Sequence, residues 1–298
     1  MVSFPFGDSQ ISRIDVESTY ADLHRRLAEV EEMLSGSGVP IHGASRFKVY
    51  RRTLERLYSI DADATLSAQE CEAIYDALLE CNEFVQSIPV LMQPPEVPGW
   101  RSIVKRALGG SASGRTEEGF TPARDAQFEL LVTAMLRHSG FPVRFAEPDI
   151  HFEITEGKCL GIAAKRVKSA SKLASRISEG SKQIAKSHVQ GVLAVHLSFF
   201  TRTMSQTMDM PTAMEALRAE TRRFTRDNIE KFARRVDRNR TFGIMMFSTK
   251  LAQLVERSQL ATIFGVYVTN LCDPNDERCL LLESLTGGLE RGSETWFQ

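Results

Sequence analysis

Between residues 122 and 197 the apolar pattern alternates between helical and strand periods, and this alternation most constrains what the chain can fold into. A helix is predicted over Pro122 to His138, because apolar side chains recur there at helical spacing and Gly140 follows. Three short strand patterns come next, followed by a helix over Ser169 to His188 and an apolar strand over Gly191 to Leu197. The predicted order is α-β-β-β-α-β, which implies a mixed central sheet.

The part of the chain before residue 109 has only helical patterns, such as the stripe formed by Leu23, Leu27, Val30 and Leu34. The run Gly109 to Gly114 is small and poor in apolar residues, which is typical of a linker. We therefore predict an all-helical domain over 1–108, a linker over 109–119 and an α/β domain over 120–298. The overall class is a mixture of α+β and α/β, and the length of 298 residues agrees with two domains.

Composition excludes several classes of protein. The net charge is −1, and the five cysteines are an odd set with no C-x-x-C pair, so a disulfide framework and a zinc site are not expected. No apolar run approaches the roughly 20 residues of a membrane helix. No phosphate-loop motif is present, so no nucleotide cofactor is expected. We expect a cytoplasmic protein that makes no contact with a membrane.

The hairpin around residue 157 carries the first candidate site. Alternation places Asp149 and His151 on the face opposite to the apolar residues of their strand. A register with Asp149 opposite Lys165 and His151 opposite Ala163 leaves a three-residue loop, Glu156-Gly157-Lys158. Opposed side chains in such a pair lie about 5 Å apart. The sequence thus predicts a carboxylate beside an ammonium group at one end of the hairpin.

At this point the segment over about 123–197 resembles the PD-(D/E)XK nucleases, a fold shared by restriction endonucleases and junction resolvases. Pro148-Asp149 resembles the PD of that family, and Lys165 at the end of the next strand resembles its lysine. Glu129 matches the acid on the preceding helix, and Gln183 matches a glutamine that several subfamilies carry on the following helix. The predicted order of helices and strands agrees with the core of the family, so a restriction-endonuclease-like fold is expected.

The resemblance implies a metal-dependent nuclease that hydrolyses DNA phosphodiester bonds, with RNA not excluded, in restriction, defence or repair. It implies that Asp149 and the backbone carbonyl of Ala164 bind Mg²⁺ or Mn²⁺, and that Lys165 positions the attacking water. Glu129 and Gln183 would support the site. A hard cation with oxygen ligands suits this chemistry, because it neutralises developing charge and acidifies water. Many nucleases of this kind act as dimers, so a homodimer is expected.

The sequence departs from the family at the second acid, where Ala163 stands. Three explanations remain open. The acid has migrated to Glu179, 14 residues beyond Lys165, as in some restriction endonucleases; or Glu129 or His151 fills the gap; or the site is inactive. In the last case the domain is a nuclease-like fold that binds nucleic acid or a partner protein.

The segment from Lys165 to His188 is strongly basic, which favours a polyanionic partner. It contains a single acid, Glu179, among seven basic residues. Cationic side chains that follow a helix can bind phosphates independently of sequence. The predicted contacts with nucleic acid are Arg166, Lys168, Lys172, Arg176, Lys182 and Lys186.

Overall fold

The computed structural model describes residues 8–9, 14–16, 20–58, 67–110, 122–198, 209–254, 259–273 and 275–296. Most of the predicted linker over 109–119 lies outside these residues. The helices are α1 (Tyr20–Gly36), α2 (Arg46–Tyr58), α3 (Ala68–Met92), α4 (Trp100–Leu108), α5 (Pro122–His138), α6 (Ala170–Lys186), α7 (Met210–Ala233) and α8 (Arg278–Trp296). The strands are β1 (Asp8–Ser9), β2 (Ile14–Val16), β3 (Val143–Ala146), β4 (Asp149–Thr155), β5 (Lys158–Val167), β6 (Gly191–Leu197), β7 (Thr241–Leu254) and β8 (Gln259–Asn270).

The strands form one mixed sheet, so the predicted mixed α/β class is confirmed. Strands β3 to β8 lie side by side in chain order, and the short strands β1 and β2 both pair with β8. The prediction that residues 1–108 are all helical is therefore wrong, because β1 and β2 from this region add to the edge of the sheet. The β3-β4, β4-β5 and β7-β8 pairs are antiparallel, whereas β5-β6 and β6-β7 are parallel. Helix α6 connects β5 to β6, and helix α7 connects β6 to β7.

Both faces of the sheet are covered by helices. On one face α5 and α8 bury apolar side chains of the sheet, including Phe152 and Ile162. On the other face α6 and α7 bury a second set, which includes Ala163, Val167 and Leu193. Alternate residues of β5 therefore contact different helical layers, as the period of two in a strand requires.

The N-terminal helices pack directly against α5. Their hydrophobic cluster includes Ala126, Leu130 and Ala134 of α5 together with buried residues of α1 to α4. Helix α5 thus presents one side to the sheet and another to the helical region. In the described part of the chain, no helix is both long and apolar enough to cross a membrane.

The register predicted for the β4-β5 hairpin is wrong by two residues. His151 lies opposite Gly161, not Ala163, and Asp149 is not opposite Lys165. The loop has two residues rather than three, because Thr155 pairs with Lys158. The register shifts between Glu153 and Thr155, and the pairs from Glu153 to Ile150 then keep one constant register. A shift by two leaves every side chain on its predicted face, so Asp149 and Lys165 still lie on one side of the sheet.

Candidate active site

The candidate site lies where β5 extends beyond its partner β4. Strand β4 pairs with β5 as far as Ile150, which is opposite Ile162, so the edge of β5 after Ile162 has no β4 partner. At this edge, amides of β5 donate to carboxylates instead of to a neighbouring strand. The amide of Ala164 donates to Asp149 Oδ2 at 2.8 Å, and the amide of Arg166 donates to Asp125 Oδ1 at 3.1 Å. Because β4 ends before β5 does, amides at the edge of β5 are left to bind the carboxylates of Asp149 and Asp125.

Asp149 is held by three donors from two elements. Besides the Ala164 amide, Lys165 Nζ lies 3.2 Å from Asp149 Oδ2. Gln183 Nε2 of α6 lies 3.0 Å from Asp149 Oδ1 and 2.6 Å from the carbonyl oxygen of Pro148. Asp149 and Lys165 are both nearly buried, with 12% and 6% of their side chains exposed. This carboxylate is therefore fixed in orientation from β5 and from α6.

Glu129 of α5 adds a second buried carboxylate. Its side chain is 7% exposed and forms an ion pair with Arg106 of α4. Burial and the negative charge of Asp149 raise the pKa of Glu129 to about 7, against the attraction of Arg106 and Lys165. The pKa of Asp149 is also raised, chiefly by burial, although Lys165 and the Ala164 amide oppose the shift. We call Glu129, Asp149, Lys165 and Gln183 the carboxylate cluster.

Close packing of α6 against β5 brings Gln183 to Asp149. A Cβ atom on Gly180 would lie 2.5 Å from Leu193 Cδ2 and 3.4 Å from both Ala163 Cβ and Lys165 Cγ. Ala163 is fully buried in the hydrophobic cluster beneath α6. The missing second acid of the resemblance is therefore replaced by a small side chain that packs against the helix.

Two of the residues proposed to replace the missing acid, Glu179 and His151, make other contacts. Glu179 is one helical turn before Gln183, but its carboxylate is 53% exposed and accepts from Arg176 Nη1 at 2.7 Å. His151 Nε2 lies 2.5 Å from the carbonyl oxygen of Glu147. Of the three replacements considered, Glu129 interacts electrostatically with Asp149.

The predicted nucleic-acid contacts divide into two groups. Lys172, Lys182 and Lys186 are exposed, and Lys168 and Arg176 are partly exposed. Arg176 also forms an ion pair with Asp125. Arg166 is 3% exposed and forms ion pairs with Glu80 and Glu83 of α3, so this residue does not support the predicted contact.

Arg166 belongs to a buried ionic network that sequence patterns did not reveal. Glu80 of α3 forms ion pairs with Arg46, Arg124 and Arg166, which come from α2, α5 and β5. Gln127 Nε2 donates to Glu83 Oε2 at 2.8 Å within the same network. Because these residues are distant in sequence, only the tertiary structure brings them together. The network joins the helical region to the sheet.

Two residues of the site escaped the sequence analysis. Asp125 precedes Glu129 by four residues, so the two share a helical face, and that spacing was an available signal. Arg106 had no such signal, because it reaches Glu129 from a separate helix across 23 residues.

Within the described residues, no group of three or more His, Cys, Asp and Glu side chains is arranged to hold a metal ion. The predicted part of the Ala164 carbonyl in metal binding stays a prediction. Comparison of the chain with protein-family models, with curated proteins and with solved structures found no significant match.

Proposed function

We propose that the chain is a metal-dependent nuclease that hydrolyses phosphodiester bonds of DNA at the carboxylate cluster. The single observation that carries the proposal is that Asp149 pairs with Lys165 at the open edge of β5, while the charge of Glu129 interacts electrostatically with both. We further propose that α5, β3, β4, β5, α6 and β6 form a core of the PD-(D/E)XK type. The five cysteines are free thiols, in agreement with the cytoplasmic location that we propose.

The residues present fit Mg²⁺ but not an ion that requires three protein carboxylates. Mg²⁺ typically uses one or two carboxylates and completes its shell with water and substrate phosphate. Asp149 and Glu129 supply two carboxylates, and burial raises the pKa of both. A cation beside them would favour their ionised forms. When bound, the ion would acidify a water molecule and neutralise charge on the phosphoryl group.

The other cluster residues would orient Asp149 and hold the attacking water or the phosphoryl group. Gln183 fixes Asp149 through Oδ1, and the Ala164 amide fixes it through Oδ2. Lys165 carries N–H donors that suit the attacking water or the charged phosphoryl oxygen, and its burial strengthens such contacts. Neither role requires a carboxylate at position 163.

Charge on α6 supports nucleic acid as the substrate. At 100° per residue, Lys172, Arg176 and Lys186 lie within about 60° of Gln183 around the helix axis, as does the single acid Glu179, which pairs with Arg176. Gln183 contacts Asp149, so this basic side of α6 leads to the carboxylate cluster. Phosphates that follow these cations would reach Asp149.

A second candidate function is nucleic-acid binding without hydrolysis. The burial of Ala163 among apolar side chains favours it, because the family position for a metal ligand is used for packing. The same basic side of α6 would then bind the backbone of nucleic acid, and the charges of the cluster would be structural.

Cleavage of supercoiled plasmid, linear duplex and single-stranded DNA, in Mg²⁺ or Mn²⁺, separates the two functions. Asp149→Asn, Lys165→Met and Glu129→Gln should each slow cleavage by about 100-fold or more, since each removes a charge from the reacting centre. Glu179→Gln is the matched control and should cleave as the natural chain does. Thermal unfolding of every variant checks its fold.

Cleavage that is lost in Glu179→Gln but retained in Glu129→Gln would contradict the assignment of the second carboxylate. A natural chain that binds DNA in a salt-dependent manner but cleaves none of the three substrates would exclude the nuclease and support the second function.

A further inference from the structure

Arg106 is the exposed end of a chain of charges that crosses the carboxylate cluster. Its guanidinium pairs with Glu129, and 45% of its side chain is exposed, against 7% for Glu129. Glu129 interacts electrostatically with Asp149 and Lys165, and Asp149 accepts from Gln183. The contacts therefore run from α4, through α5 and the sheet, to α6.

Helix α4 presents a basic surface to solvent. Lys105 and Arg106 are exposed, and the helix contains no acidic residue, whereas Arg101 is exposed on another side of the helix. Its opposite side is buried by Trp100, Val104, Ala107 and Leu108, which join the hydrophobic cluster that includes α5. The position of Arg106 relative to Glu129 is thus set by packing of α4 on α5.

An arginine at this place can serve two anions at once. The guanidinium has five N–H donors in a planar fork, and the contact with Glu129 uses Nη2. A phosphate on the solvent side would meet the same cation without displacing it from Glu129. Arg106 would then hold Glu129 in orientation and bind the substrate backbone.

We propose that α4 forms a second part of the nucleic-acid path, in addition to the basic side of α6, and that Arg106 contacts a backbone phosphate there. The inference rests on the proposed function for the identity of the substrate. It gives the helical N-terminal region a direct part in substrate binding, with Arg106 also acting as a positioning residue for Glu129.

The test measures how binding of a fluorescein-labelled 20-base-pair duplex depends on salt, by fluorescence anisotropy in EDTA. Arg106→Gln should lower the slope of log Kd against log salt by about one, because one phosphate contact is lost. The matched control is Arg101→Gln on the same helix. Arg101 lies about 140° around the axis from Arg106 at 100° per residue, and it pairs with Glu96 at 2.9 Å. It should keep the natural slope.

A second variant separates phosphate contact from damage to the fold. Arg106→Gln leaves Glu129 buried without its cation, whereas Arg106→Gln with Glu129→Gln removes both charges of the pair. The double variant should show the same loss of slope as the single variant. A natural slope in either Arg106 variant, or an equal loss in Arg101→Gln, would overturn the proposal.

These outcomes are independent of cleavage. A natural chain that does not cleave, but whose salt slope falls only in the Arg106 variants, would refute the nuclease and leave the α4 path standing. A natural chain that cleaves, with an unchanged slope in Arg106→Gln, would refute the path and leave the nuclease standing.

Discussion

Glu80 in the ionic network and Glu129 in the carboxylate cluster are almost equally buried, with 8% and 7% of their side chains exposed, yet their pKa values shift in opposite directions. Burial by itself would raise both. Around Glu80, the attraction of Arg46, Arg124 and Arg166 outweighs burial and lowers the pKa to about 2. Around Glu129, burial and the charge of Asp149 prevail, and the pKa rises to about 7.

The two groups of charges differ in the solvent exposure of their cations. The network around Glu80 is closed: Arg46 and Arg166 are 0% and 3% exposed in their side chains. The cluster around Glu129 opens to solvent through Arg106 on α4. The charge of Glu80 is neutralised by buried arginines and stabilises the fold. The charge of Glu129 is only partly neutralised, so a further cation would bind favourably beside it. The contrast concerns these two carboxylates, because burial also raises the pKa of Glu83 within the network.

The comparison is tested most strongly by Glu80→Gln. The change keeps the shape of the side chain but leaves buried arginines without their counter-charge, so we expect a loss of about 3–5 kcal/mol in the free energy of unfolding. Urea denaturation at pH 7 measures it. The matched control is Glu230→Gln, whose pair with Arg234 is exposed, and it should change stability by less than about 0.5 kcal/mol. Equal losses would mean that the network does not support the fold.

The second test uses the pH dependence of stability. The folded pKa of Glu129 is raised from 4.5 to about 7, so its favourable contribution is full below 4.5 and is lost as pH rises through 7. Relative to Glu129→Gln, the natural chain should lose roughly 2–3 kcal/mol of stability between pH 5 and pH 8. Denaturation of both proteins across this range measures the difference. Parallel curves would show that the carboxyl titrates normally.

The smallest effect expected comes from Gly180→Ala, which probes the packing that brings α6 to Asp149. The added methyl group would press on Leu193, and overpacking of this kind costs about 1 kcal/mol or more. Displacement of Gln183 should also slow cleavage by about tenfold, because Asp149 loses a fixed orientation. Gly36→Ala is the control, since nothing lies within 4 Å of the added atom. Unchanged cleavage in Gly180→Ala would show that Gln183 is not needed.

Local patterns predicted most of the helices and strands. The bounds of α5 and β6 agree with the predictions, because apolar periodicity and end signals act within a few residues. The end of α5 is an example: Gly140 has φ of +85°, and the amide of Phe141 bonds to the carbonyl of Leu136. Helix α8 was not predicted, although Leu281, Leu282, Leu285 and Leu289 form a helical stripe.

Local sequence patterns did not predict the register of the β4-β5 hairpin or the ion-pair partners of Arg166. A hairpin register depends on small differences between loop geometries, and here a two-residue loop and a register shift between Glu153 and Thr155 together moved the pairing by two residues. Arg166 resembled the other basic residues in sequence, but the structure buries it against α3. Charge alone does not tell whether a side chain faces solvent or an internal counter-ion.

By itself, the sequence determined the order of helices and strands from α5 to β6, the face of β4 that carries Asp149, and the residue types of the candidate site. These depend on periodicity and on chemistry that each residue carries alone. Only the tertiary structure decided that Glu129 interacts with Asp149 while Glu179 pairs with Arg176, and that Arg106 pairs with Glu129 from another helix. The physical reason is that electrostatic partnership and burial depend on distance in space, which packing of α4, α5 and α6 on the sheet sets.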